Sequence, residues 1–363
     1  MTQRTTLAAL RRSIPLLAIS LAFFACSDGN DSGADSETIK NSLLLNFTSD
    51  YETGELRWMD TDSASLSAGA LPFGQDSKVF ASGNNVFVLD RISSNIACMQ
   101  ADKIGDPNLI AQEALEQGAN PYEVAVSGDM GYIVFNSADY VQTFNVNTCT
   151  PGEKIDLPIT QANASSIKIS GDTLLVLLQR LVNFSATEPG LLVRIKADTK
   201  AVIDIITLKF YNPNSSILSN GKLYVSSQRY DENFAVDLEK SGIEVVDLKT
   251  GTSDTIASGT RLGGGGNGMA LDESNHILYA SVYAGWGDVP VKSINLNSKA
   301  IASALPGITD SFGGLVFDSE TGRLFIADTD VLKIYNTANG SVTQVTSRGK
   351  AALPPYSLAI ARW

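Results

Sequence analysis

Val79-Phe80-Ala81-Ser82-Gly83 and Val124-Ala125-Val126-Ser127-Gly128 are two copies of one phrase, a short apolar strand that ends in a glycine turn. Further copies follow at Ile167-Lys168-Ile169-Ser170-Gly171, Ile217-Leu218-Ser219-Asn220-Gly221, Met269-Ala270-Leu271-Asp272, Leu315-Val316-Phe317-Asp318 and Leu358-Ala359-Ile360. With Phe80, Val126, Ile169, Leu218, Leu271, Phe317 and Ile360 as anchors, the spacings are 46, 43, 49, 53, 46 and 43 residues. A fixed period of that length marks a repeat architecture.

Working outward from each anchor, a second apolar run begins a few residues on. Examples are Val86-Phe87-Val88-Leu89, Tyr132-Ile133-Val134-Phe135, Leu174-Leu175-Val176-Leu177 and Leu324-Phe325-Ile326-Ala327. A third run alternates in period two, as in Tyr140-Val141-Gln142-Thr143-Phe144 and Ile243-Glu244-Val245-Val246-Asp247. Continuous apolar runs suit strands buried on both faces, whereas alternation suits strands nearer the outside. Asn, Asp, Ser and Gly between them read as hairpin turns. Leu43-Leu44-Leu45-Asn46-Phe47 reads as a second run and Gly54-Glu55-Leu56-Arg57-Trp58 as a third, with no first run before them. Tyr356 to Ile360 is a first run with nothing after it. The two fragments make one unit, so the expected fold is all-β: a seven-bladed β-propeller over residues 41–363 whose closing blade is shared between the chain ends. A two-sheet sandwich or β-solenoid is the rival, but a sandwich needs no regular spacing.

The pattern resembles the YVTN-repeat, surface-layer-type seven-bladed propellers; Leu223-Tyr224-Val225-Ser226 and Leu278-Tyr279-Ala280-Ser281 are the nearest echoes of the repeat's signature. Lipid-anchored proteins of this group resemble surface receptors that pass cofactors or metal chelates to outer-membrane transporters. The resemblance therefore implies a small organic ligand or an envelope protein as partner, an outer-membrane transporter among the latter.

The first residues read as an address. Arg4, Arg11 and Arg12 precede an apolar run from Ile14 to Ala25 that is too short to span a bilayer but suits a signal peptide. It ends in Phe23-Phe24-Ala25-Cys26, which resembles a bacterial lipobox, although Phe24 stands where a small residue or serine is usual. Residues 1–25 are thus expected to be a lipoprotein signal peptide, Cys26 the lipidated residue and 26–40 a flexible Ser/Asp/Gly tether. The expected location is the cell envelope, on the outer membrane, with attachment by the lipid alone and the protein a monomer.

Charge and composition exclude several classes. The formal net charge of −12 argues against nucleic acid, which needs a basic face. The chain has a single histidine, His276, in a first-to-second turn, which leaves little for a His-based metal site or triad. No catalytic residue, resident metal or cofactor is called for. Asp328 and Asp330 are a carboxylate pair of the kind found in plain turns, and in cation sites. Gly263 to Gly266 lacks the Lys-Ser/Thr and the helix of a phosphate loop, and reads as a flexible inter-blade loop. Cys98 and Cys149, the cysteines other than Cys26, either pair in an oxidising compartment or stay as buried thiols.

In such a propeller the inter-blade links and the second-to-third loops share one face. Three of those loops are long and carry Arg180, Arg229, Tyr230, Tyr283 and Trp286. Phe73, Tyr122, Phe312 and Tyr356 precede or open first strands, and Tyr51 and Arg91 fall in matching loops. Arg91, Tyr122, Arg180, Arg229, Tyr230, Tyr283, Trp286, Phe312 and Tyr356 are the candidate ligand-binding residues, because they offer flat apolar area and fixed donors. Against a non-enzymatic binding module stand an envelope scaffold without a small ligand and a lactonase-like, metal-dependent hydrolase.

Overall fold

The computed structural model describes residues 41–48, 53–74, 76–329, 331–345 and 355–363. Cys26, Tyr51 and Asp330 lie outside the described residues. The rest forms seven four-stranded antiparallel sheets and one small two-stranded hairpin.

Each blade runs from an inner strand outward. In blade 1 the strands are Ser77–Ser82, Asn85–Asp90, Asn95–Gln100 and Ala111–Ala114. The inner strands of blades 2 to 6 are Pro121–Ser127, Ala164–Ser170, Pro213–Ser219, Gly265–Asp272 and Leu315–Asp318. Blade 7 is composite. Its inner strand is Pro355–Arg362, followed outward by Asn41–Thr48, Thr53–Asp60 and Leu71–Gly74. Leu43 pairs with Ile360 and Leu45 with Leu358, so the two chain ends share one sheet and the inner edge closes.

The apolar runs explain the ring. Seven buried clusters occur among the described residues, one at each blade–blade junction. A second strand feeds two of them at once. Leu174, Val176 and Leu178 point to blade 2, while Leu175 and Leu177 point to blade 4. That is why these strands read as unbroken hydrophobic runs rather than alternating ones. Cys98 of blade 1 and Cys149 of blade 2 are disulfide-bonded inside the cluster between those blades, with 5.7 Å between their Cα atoms.

One register differs from expectation. Ser82 and Ser127 both close their hairpins, which places Ala81, not Phe80, in register with Val126. The Gly263 stretch differs more. Gly259–Leu262 is a single helical turn, Gly263 caps it at φ 75°, and the inner strand of blade 5 already starts at Gly265. A Cβ on Gly264 would lie 2.5 Å from the Tyr283 carbonyl oxygen, and one on Gly265 2.7 Å from Gln228 Cγ. Gly264 thus packs against the second strand of its own blade and Gly265 against blade 4, instead of making a flexible loop.

Candidate functional site: the mouth of the central channel

The inner strands surround a cavity of about 590 Å³, lined by residues from all seven blades. Its size falls in the range of small-molecule sites. Near the start of five inner strands the pairing with the second strand slips, leaving an extra residue. The residues at the slips are Tyr122, Ser165, Asn214, Asn267 with Gly268, and Tyr356. Every one of them lines the cavity. A bulge re-aims a side chain that would otherwise follow the pleat. Proline opens three of these strands, at Pro121, Pro213 and Pro355, where a missing N–H is tolerated. The bulges thus form a collar on the face where the inter-blade links arrive.

One side of the collar is a polar network. Tyr356 donates to Asp76 Oδ1 at 2.6 Å, and Arg91 Nη1 donates to the same oxygen at 2.8 Å. Arg91 Nε donates to Asn120 Oδ1 at 3.1 Å, and its guanidinium lies 4.6 Å from the centre of the Tyr122 ring. Lys78 Nζ sits over that ring too, at 3.9 Å. Burial pushes the Tyr356 phenol well above its ordinary value, with Asp76 adding to the shift. Deeper in, Lys168 pairs with Glu123, whose other oxygen accepts the Ile167 N–H at 3.0 Å.

The other side is aromatic. Phe312 lines the cavity and is half exposed. Its ring meets Tyr283 at 6.2 Å, and Tyr283 meets Tyr230 edge-on at 5.7 Å. Burial raises the Tyr230 phenol, and Gln228 Nε2 donates to its oxygen. This ladder leads outward to three hairpins on consecutive blades, between their second and third strands. Leu181–Val182 pairs with Ser185–Ala186 in the first, Tyr230 bridges Val236 in the second, and Gly285 bridges Asp288 in the third. Their tips carry Phe184, Phe234 and Trp286, which are 92%, 81% and 89% exposed. Phe184 and Phe234 hold φ values of 64° and 61°, a costly conformation for a bulky side chain.

The structure therefore sorts the nine candidates into groups. Tyr122, Phe312 and Tyr356 line the mouth, with Arg91 bonded directly behind them. Tyr230 and Tyr283 connect the mouth to the hairpins. Arg180 and Arg229 are spent within the hairpins: Arg180 pairs with Glu188, and Arg229 with Asp237 at 2.6 Å and with the Ala186 carbonyl at 3.1 Å. Trp286 stands free at a tip. Phe73 belongs to the outer strand of blade 7. Sequence reading missed Lys78, Ser165, Asn214 and Asn267. The available signal was their shared position just inside an inner strand, twice directly after Ala164 or Pro213.

His276 is exposed in the turn Glu273–His276, at the opposite end of its inner strand from the mouth. Asp328 is committed to the Asp310 N–H at 2.6 Å and to Lys333. Among the described residues no group of three or more His, Cys, Asp or Glu is placed to hold a metal ion.

Comparison with known proteins adds the fold and its neighbours. No protein-family model and no curated protein matches the chain. Many solved structures do. A putative 6-phosphogluconolactonase from Bacteroides fragilis is similar with TM-score 0.61 and 14% identity, over 92% of this chain and 100% of that one. AztD from Citrobacter koseri, in its apo form, is similar with TM-score 0.57 and 11% identity, over 89% and 98%. The dihydro-heme d1 dehydrogenase NirN, in complex with DHE, is similar with TM-score 0.54 and 13% identity, over 93% and 77%. Identities this low establish a shared seven-bladed β-propeller and nothing finer.

Proposed function

We propose that the chain is a lipid-anchored, non-enzymatic binding module of the cell envelope that takes a small organic ligand in the mouth of its central channel. The observation that carries the reading is the collar: five separate bulges send their extra residues into one cavity. Bulges interrupt ladder pairing, and their repetition at one height is a device for placing side chains. The site combines an exposed aromatic face at Phe312 with donors fixed by a rigid ring, the usual make-up of an organic-ligand site. Among the described residues its one lining carboxylate, Glu123, is held by Lys168 and a backbone N–H, which suits a binder better than a hydrolase needing an unpaired base. Propellers of similar fold include a putative 6-phosphogluconolactonase and a dehydrogenase solved with DHE, both with enzyme names, so the reading rests on the site and not on the fold.

The anchor belongs to the same proposal: signal peptide 1–25, lipidated Cys26 and tether, in a protein resembling YVTN-type surface receptors. Asn41, the first described residue, sits beside the turn at Glu320, at the end of the ring away from the hairpins.

Saturation-transfer NMR on the full chain in detergent, with a panel of aromatic fragments, tests the mouth. Binding should fall about tenfold or more in Phe312→Ala, which removes an exposed ring without opening the core. It should persist in Trp286→Ser and His276→Ala. Loss in Trp286→Ser with retention in Phe312→Ala would move the ligand to the hairpins. The three exposed tips favour a second reading, an envelope scaffold that docks a protein partner such as a transporter through the rim.

A further inference from the structure

We propose that the ligand of the mouth is a monoanion, an aromatic carboxylate whose charge is met by Lys78; this deepens the mouth reading and rests on it. The argument is an accounting of charge along the channel. Among the described residues three cations line it: Lys78, Lys168 and Arg362. Lys168 is paired with Glu123, and Arg362 donates to Asp318 at 2.7 Å. Arg91, behind the collar, is paired with Asp76 at 2.8 Å. Among the described residues Lys78 has neither an ion pair nor a hydrogen-bond acceptor; its ammonium rests 3.9 Å above the Tyr122 ring. Among the described residues the mouth is therefore left with one uncompensated positive charge, in a chain whose formal net charge is −12.

Position strengthens that charge. Lys78 is half-buried within a narrow cavity, where Coulomb interactions are less screened than at an open surface. The Tyr122 ring holds the ammonium at the collar, so less side-chain freedom is lost when an anion arrives. A single compact ammonium suits one carboxylate. A phosphate monoester carries nearly two charges and calls for more donors, or for an arginine fork, and the described arginines here, Arg91 and Arg362, are engaged. Phe312 supplies the exposed apolar face for the remainder of the molecule.

The test compares naphthalene-2-carboxylate, naphthalene-2-carboxamide and 2-naphthyl phosphate by titration against the full chain in detergent. The carboxylate should bind at least about tenfold more tightly than the amide, as expected for a charge-assisted hydrogen bond in a partly desolvated site. Lys78→Met should erase that preference, chiefly by weakening the carboxylate, and Lys78→Arg should keep it. Circular dichroism checks folding, which a side chain without bonded partners does not control. Equal binding of carboxylate and amide, a preference that survives Lys78→Met, or tighter binding of the phosphate overturns the proposal while the mouth stands. Failure of all three probes to bind in a manner sensitive to Phe312→Ala overturns the mouth reading itself.

Discussion

Glu244 shows how far a single side chain departs from its pattern. In Ile243-Glu244-Val245-Val246 it occupies a place in an alternating strand, yet it is completely buried. Its carboxylate accepts the backbone N–H groups of Lys209, at 2.9 Å, and Phe210, at 3.1 Å, from the outer strand of blade 3, and the hydroxyl of Ser253. Burial nevertheless pushes its pKa above the ordinary 4.5, outweighing these bonds. The native state then retains a proton that the unfolded chain releases. Its contribution is fully present below pH 4.5 and is lost as pH rises through the native value. Urea midpoints should accordingly fall less with rising pH in Glu244→Gln than in the parent protein. Gly264→Ala, whose Cβ would meet the Tyr283 carbonyl oxygen at 2.5 Å, should destabilise by about 1–3 kcal/mol in the same assay. Neither site was legible in the sequence. An alternating run marks Glu244 as polar but not which neighbour receives it, and a glycine run looks the same whether it is loose or packed.

At the scale of elements, the strands were legible because burial on both faces leaves a compositional trace. The first and second strands of nearly every blade followed from apolar runs, and the anchor of blade 1 was misplaced by one residue only because Phe80 and Ala81 are both apolar. Outer strands left little trace, as in Pro151–Asp156, which is largely exposed. The collar was half legible: Tyr122 and Tyr356 drew attention as aromatics, while Ser165, Asn214 and Asn267 look like ordinary strand-edge residues until a bulge turns them inward. The hairpin tips add a prediction of their own. Phe184 at φ 64° and Phe234 at φ 61° hold bulky residues where asparagine is better tolerated. Phe184→Asn and Phe234→Asn should each raise thermal stability, by up to about 1 kcal/mol, and weaken any partner contact made through the rim. An unchanged or lower melting temperature in both would mean that the tips carry no strain.

Across the whole molecule, closure and stapling hold the ring. The bond between Cys98 and Cys149 spans 51 residues and joins blades 1 and 2. Replacing both with serine should cost about 2–4 kcal/mol, read as a lower denaturant midpoint. The pairing of Leu43 with Ile360 makes the inner edge continuous, and that continuity brings Tyr356 of blade 7 beside Arg91 and Asp76 of blade 1. The proposed ligand site is thus a property of the closed ring, assembled from strands that lie hundreds of residues apart in sequence. Hydroxyl-radical footprinting of the full chain, with and without saturating naphthalene-2-carboxylate, tests this most directly. Oxidation of Tyr122 and Phe312 should fall, while that of Phe184, Phe234 and Trp286 stays constant; protection confined to those three tips, or no protection at the mouth, would contradict it.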